Sequence, residues 1–356
     1  MLTPDELRLE ALPELDAAWQ VRGHGRRLDA VTAGARALRA RLDAMGAVVS
    51  ARSLPITTLL YPAKYAFWSA ALSPAPFVPL THRALLVQFR AGGGVKTLLF
   101  NPTDVERAKA TPYFARLIER FGDTASRWVA KQHDALEAQL ARLGVASDDV
   151  DYVAFDHFHT QDLRGLLGTA DGRLAPRFKN AALLAPRAEW DEWDHLHPMQ
   201  RAWYVADGKA GARDDRLALT DRDLALGDGV MLLRTPGHTA GNQTLFFKTD
   251  RGVWGCSENG TCADNWSPRA SRVAGVAAAA RQGDLDVLLN ANTPEAGADQ
   301  YTSMTLEKLL VDRVPHAPDF VQMFPSSEVT PGVLAPGLSP SYVHHHLEHG
   351  AVVTRG

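Results

Sequence analysis

The sequence predicts an α/β fold of stacked layers, and three observations carry that prediction. Two β-rich runs, RALLVQF and VKTLLF, are joined across Ala91-Gly92-Gly93-Gly94, the signature of a hairpin. Later strand-like runs alternate with helical stretches to about residue 313, the order of a layered α/β protein rather than a pure βαβ winding. The composition of the 356-residue chain, 46% hydrophobic and 22% charged, is that of a globular protein with a sizeable core.

The elements follow in order. Residues 4–46 read as two helices parted by Gly23 and Gly25, the second rich in Ala, Leu and Arg. A strand-like AVVSARSLP and an aromatic segment lead to Pro74, Pro76 and Pro79, the best linker signal in the chain. This predicts an N-terminal helical extension over 1–80, a catalytic domain over 81–315 and a C-terminal extension over 316–356. After the hairpin come helices near 103–121 and 124–143, the second with Val129, Leu136, Leu140 and Leu143 on one face and Gly144 at its end. The buried-strand run VDYVAF (150–155) stops abruptly in polar residues. Strands near 182–185, 229–234, 243–248, 252–255 and 286–290 follow, with helices near 188–204, 269–281 and 301–313.

Charge and cysteine content narrow the function classes. A formal charge of -3, a pI near 6.5 and no basic cluster argue against a nucleic-acid partner. Cys256 and Cys262 are the only cysteines, which fits a reducing compartment and leaves no disulfide framework. The N-terminus is acidic and amphipathic, without the pattern of a secretory signal, and no apolar run approaches the ~18 residues of a membrane span. The expectation is a cytoplasmic protein with a small-molecule substrate and no membrane partner, its N-terminal extension being the candidate homodimer contact.

Chemistry concentrates in two stretches. In Asp156-His157-Phe158-His159-Thr160-Gln161-Asp162, side chains two apart on extended backbone point the same way, so His157 and His159 can share one ion. The chain also contains His195-x-His197 and His344-x-His346, so the pattern alone is cheap. The second stretch is LLRTPGHTAGNQTLFF (232–247), where glycines on both sides of His238 let the backbone bend and present a third imidazole. Three neutral imidazoles and a water make a tetrahedral catalytic zinc site.

The order of these motifs, HxHxxD after a strand and TPGHTxGN about eighty residues later, resembles the metallo-β-lactamase superfamily over about residues 83–295. The resemblance implies a four-layer αβ/βα sandwich with a metal site at one edge, and His157, His159 and His238 as ligands of the first ion. It also exposes departures. Where the family reads HxHxDH, Gln161 stands for the Asp and Asp162 for the His. The bridging acid falls on Glu258, with Cys256 as runner-up, and the last His is replaced by Asn292.

Two arrangements follow. In the preferred one a single ion, Zn²⁺, is held and Asp162 is free to act as general base or to orient the water. In the other, Gln161, Asp162, Glu258 and Asn292 form an oxygen-only second site for a harder ion such as Mn²⁺, Mg²⁺ or Fe²⁺. The implied function is a metal-dependent hydrolase in which metal-activated hydroxide attacks an ester, thioester, lactone or amide. The alternatives are a mononuclear iron dioxygenase, with Glu258 completing a two-histidine triad, and a non-catalytic ligand-binding descendant. Trp190, Trp193, Trp203 and Tyr204 are candidates for an aromatic wall, and the HHHLEHG segment for a further ligand.

Overall fold

The computed structural model describes residues 1–332 and 335–355, and over 121–130 the course of the chain without its side chains. Two β-sheets face each other, one of nine strands and one of six. The nine-stranded sheet holds the long hairpin of Ser50–Pro62 and Phe77–Ala91, then Gly94–Phe100, Tyr152–Ala154, Ala182–Pro186 and Leu217–Thr220, the last three joining in parallel. The six-stranded sheet is mostly antiparallel and runs from Glu10–Leu12 through Asp223–Gly227, Val230–Arg234, Gln243–Thr249 and Gly252–Ser257 to Met323–Pro325.

The strand sequences explain the layering. In RALLVQF, Leu85, Val87 and Phe89 turn inward against Leu232, Leu245 and Phe247 of the other sheet. Ala84 and Leu86 turn outward beneath Leu136 and Leu140 of the Leu136–Arg142 helix. A strand covered on both faces reads as a continuous apolar run, as this one does. On the far side, the His24–Ala44 helix places Val31, Ala35, Leu38 and Leu42 on one stripe, which packs with the Gly297–Leu310 helix over Met231, Leu233 and Phe246. The result is the expected order of helix, sheet, sheet, helix.

The expected boundaries need correction. The segment 1–80 is no helical extension: Ser50–Pro62 is a central strand, and Glu10–Leu12 edges the smaller sheet. Pro74 and Pro76 lie in the connection of a hairpin and Pro79 within its second strand, so the cluster is not a linker. The apolar stripe of the long N-terminal helix is buried within the chain, so that stripe is not free for a dimer contact. Nor do residues 316–356 stand apart. Met323–Pro325 and Ser327–Val329 join one sheet each, and Glu348–Gly350 pairs with Ser50–Pro62.

Smaller differences have local causes. The helix near 188–204 is only Arg187–Glu192 and one further turn before Pro198, which ends it. DVLLN joins neither sheet: its Leu288 and Asn290 amides bond to the Asn265 and Asn259 carbonyls, and Val287, Leu288 and Leu289 serve as core. The helix expected from 124 divides into Pro112–Val129 and Leu136–Arg142, and the side chain of Val129 lies outside the described residues.

Candidate metal centre

The strand Tyr152–Ala154 delivers the chain at its C-terminal end into the Asp156–Asp162 loop. Phe158 packs into the core against Phe155 and Trp193, with ring centroids 5.8 and 5.4 Å away. Its neighbours His157 and His159 therefore face the opposite way, as extended backbone dictates. His238 arrives from the other sheet, beyond the strand Val230–Arg234. Gly237, at φ +141, lies so close to the Gly297–Leu310 helix that a Cβ there would sit 2.2 Å from the Gln300 backbone. At Gly241 it would sit 2.1 Å from the Glu189 amide nitrogen. Only glycine permits either approach.

The three imidazoles converge. Ring centroids lie 4.5 Å apart for His157 with His159, 4.5 Å for His157 with His238 and 4.9 Å for His159 with His238. One nitrogen from each lies within 4.8 Å of the other two. Hydrogen bonds decide which nitrogen is free. Asp156 Oδ1 accepts from the His157 backbone N–H at 2.9 Å and from its Nδ1 at 2.8 Å, leaving Nε2. Gln200 Oε1 accepts from His159 Nε2 at 2.5 Å, leaving Nδ1. His238 is fully buried, and neither of its ring nitrogens has a partner. Buried polar atoms without partners are costly and uncommon. Three clustered imidazoles with free lone pairs are the donor set of a tetrahedral cation site with an open fourth position, and the residues present fit it.

Electrostatics agree with that reading. Burial and the neighbouring imidazoles push His159 and His238 well below the ordinary histidine range, so both are neutral donors. Burial works against charge on His157 too, but the Asp156 carboxylate outweighs it and raises the ring to about 9. A cation would displace that proton while Asp156 goes on holding the ring.

A buried carboxylate ties the two loops together. Glu189 Oε1 accepts from the Phe158 amide at 2.7 Å and the Tyr204 hydroxyl at 2.5 Å. Its Oε2 accepts from Thr239 Oγ1 at 2.6 Å and the Gly241 amide at 3.3 Å. Gln200 makes a second tie, donating to the His238 carbonyl at 3.2 Å while it holds His159.

Asp162 does not join the cluster, which corrects its expected place as ligand and general base. Thr160 adopts a left-handed φ of +64 and turns the chain away after His159. The Asp162 carboxylate is taken instead by Arg164, at 2.9 and 2.6 Å, and by Arg107 at 3.4 Å. Burial alone would raise its pKa, but Arg164 and Arg107 hold it below the usual carboxylate range.

Glu258 does face the site. Its carboxylate groups with Asp156 and His157, within 4.8 Å of both. Among the described residues it forms no such group with two of the histidines, which does not favour the two-histidine triad of a dioxygenase. A chain of hydrogen bonds ends on it. Gln161 Nε2 donates to Thr103 Oγ1 at 2.8 Å, and Thr103 Oγ1 lies 2.9 Å from His82 Nε2. His82 Nδ1 lies 3.0 Å from Ser327 Oγ, which donates to Glu258 Oε2 at 2.8 Å. Burial depresses His82 to about 4, so it is neutral and carries its proton on Nδ1 if every hydroxyl donates toward Glu258. Asn292 lies on the same side, buried, with its amide oxygen unpartnered.

These groups floor a cavity of about 480 Å³. The rest of its lining is largely apolar, with Leu59, Leu80, Val105, Tyr113, Phe114 and Leu117. Trp203 completes the polar end, 6.1 Å from the His159 ring. Of the other candidates, Trp193 and Tyr204 are core, and His195 and His197 are exposed outside the cluster. His344 is buried away from it, and Cys256 packs between the sheets beside Ser326, at 3.7 Å.

No family model and no curated sequence matches the chain. Solved structures do resemble it. A probable metal-dependent hydrolase from Staphylococcus aureus superposes with a TM-score of 0.51 at 15% identity, covering 73% of this chain and 83% of its own. AidC, a dizinc quorum-quenching lactonase in complex with an N-hexanoyl-L-homoserine product, gives 0.51 at 13% identity, covering 87% and 97%. The chain has the metallo-β-lactamase fold. In this metallo-β-lactamase fold the three histidines occupy loops at one edge of the sandwich, at the ends of strands from both sheets.

The sequence pointed to the three histidines and Glu258 but not to Glu189, Gln200, His82, Ser326 or Ser327. For one further residue a signal existed: an acid directly before the HxH motif, Asp156, is placed to fix the tautomer of the first histidine.

Proposed function

We propose that this chain is a metal-dependent hydrolase that binds one divalent ion, zinc, at His157, His159 and His238, and cleaves an ester, thioester, lactone or amide carrying an apolar group. The observation that carries this reading is the buried cluster of three imidazoles with both nitrogens of His238 unpartnered. An ion held there supplies Lewis acidity, lowering the pKa of a water towards neutrality and polarising a carbonyl.

The chain's own residues supply the rest. Glu258 is the carboxylate positioned beside His157 to accept the proton released as the water attacks, a role first expected of Asp162. Asn292 offers its unpartnered amide to a polar atom of the substrate. The wall of Leu59, Leu80, Phe114 and Leu117 takes the apolar group and excludes water around it.

A panel of chromogenic esters, thioesters and lactones of increasing acyl length tests the proposal. Turnover that rises with acyl length, vanishes on chelation and returns with zinc is expected. Equal turnover before and after complete metal removal would overturn it.

A further inference from the structure

Strand Met323–Pro325 lies in the six-stranded sheet and strand Ser327–Val329 in the nine-stranded sheet, so the chain crosses between the two sheets at Ser326. Its backbone is held on both sides: the Ser326 amide donates to the Ser257 carbonyl at 3.2 Å, and the Arg83 amide donates to the Ser326 carbonyl at 3.0 Å. Ser326 is fully buried, and its hydroxyl donates a short hydrogen bond to Asp156 Oδ2. The other oxygen of that carboxylate receives both the amide and the ring Nδ1 of His157. The Asp156 amide is in turn held by Asn101 Oδ1 at 3.0 Å, and its carbonyl by the Gln243 amide at 2.8 Å. Asp156 thus has its backbone fixed from one side and its carboxylate from the other, and Ser326 sets the rotation of the carboxylate.

We propose that Ser326 is a positioning residue of the metal site: it locks Asp156, and through it the tautomer and ring angle of His157. The proposal rests on the three-histidine metal reading. A C-terminal segment that reads as an appendage in the sequence therefore completes the site. The physical reason is that a ligand imidazole is only as well aimed as the group holding its second nitrogen, and loss of such a partner commonly weakens metal binding by about 10- to 100-fold.

The test titrates Co²⁺ into the full-length chain stripped of metal, following visible absorption, with thermal melts of each apo-protein alongside. Ser326→Ala is expected to bind Co²⁺ about ten-fold more weakly than the parent and to show an altered cobalt band at saturation. Asp156→Ala should bind at least as weakly, and the double variant no more weakly than Asp156→Ala alone, because Ser326 reaches His157 only through the Asp156 carboxylate. A Ser326→Ala variant with parental affinity and parental band would overturn the proposal, even if its melting temperature fell, since a purely structural role lowers only the latter. If Ser326→Ala does not fold, Asp156→Ala decides, and parental cobalt binding by it overturns the proposal. A parent that takes up no Co²⁺ at all overturns the metal reading itself and this inference with it.

Discussion

Replacing Glu189 probes how the site is held together. Four donors converge on this fully buried carboxylate: two backbone amides, the Tyr204 hydroxyl and Thr239 Oγ1. Two come from the His157–Tyr204 side and two from the His238 loop, so the carboxylate joins elements of both sheets. Glu189→Gln keeps the volume but leaves one acceptor oxygen, and turns an N–H₂ group towards two remaining donors. Each buried donor left unpaired costs about 1–3 kcal/mol, and two of them place the loss at roughly 2–5 kcal/mol after partial relaxation. Chemical denaturation of parent and variant, both metal-free, reads this directly. The variant should also bind zinc more weakly, because the loop carrying His238 loses its tie to the loop carrying His157. Denaturation midpoints and zinc affinity both equal to the parent's would refute the claim that Glu189 organises the site.

Two other predictions concern carboxylates. Glu258→Gln should lower kcat by about 100-fold or more with metal content retained, whereas Asp162→Asn should leave kcat within a few-fold while costing stability through Arg164; steady-state kinetics on a responsive ester reverses the assignment if Asp162 is the sensitive one. Glu307 is buried beneath Asn259, Thr244 and Trp266, and burial raises its carboxyl from 4.5 to about 6. The folded chain therefore holds this proton more tightly than the unfolded one, and the associated stability is complete below pH 4.5 and lost as pH rises through 6, a change of roughly 2 kcal/mol. Between pH 4.5 and 7 the unfolding free energy of the parent should fall by roughly 2 kcal/mol more than that of Glu307→Gln, since Glu258, which burial raises to about 7, titrates across the same window in both.

What could be read in the sequence was what is local. The alternation in His157-Phe158-His159 and the glycines around His238 encode their geometry within a few residues, so all three histidines were legible. Hairpin and strand–helix alternation likewise gave the layers. The failures came where the third dimension decides. Asp162 reads as a site residue by spacing, but the left-handed turn at Thr160 carries it to Arg164. Glu189 and Ser326 lie 31 and 170 residues from the partners they hold, Phe158 and Asp156, and no pattern announces either. The proline cluster at 74–79 looked like a domain boundary because a hairpin turn and a linker share the same composition.

The central claim, a single-ion site on three histidines, is tested most directly by counting metal. Chain purified without added metal should carry about one zinc ion per molecule, His238→Ala should carry none, and Asn292→Ala should keep the parental content. Protein without metal, or an undiminished content in His238→Ala, would contradict the account, as would two ions in the parent with one of them lost in Asn292→Ala.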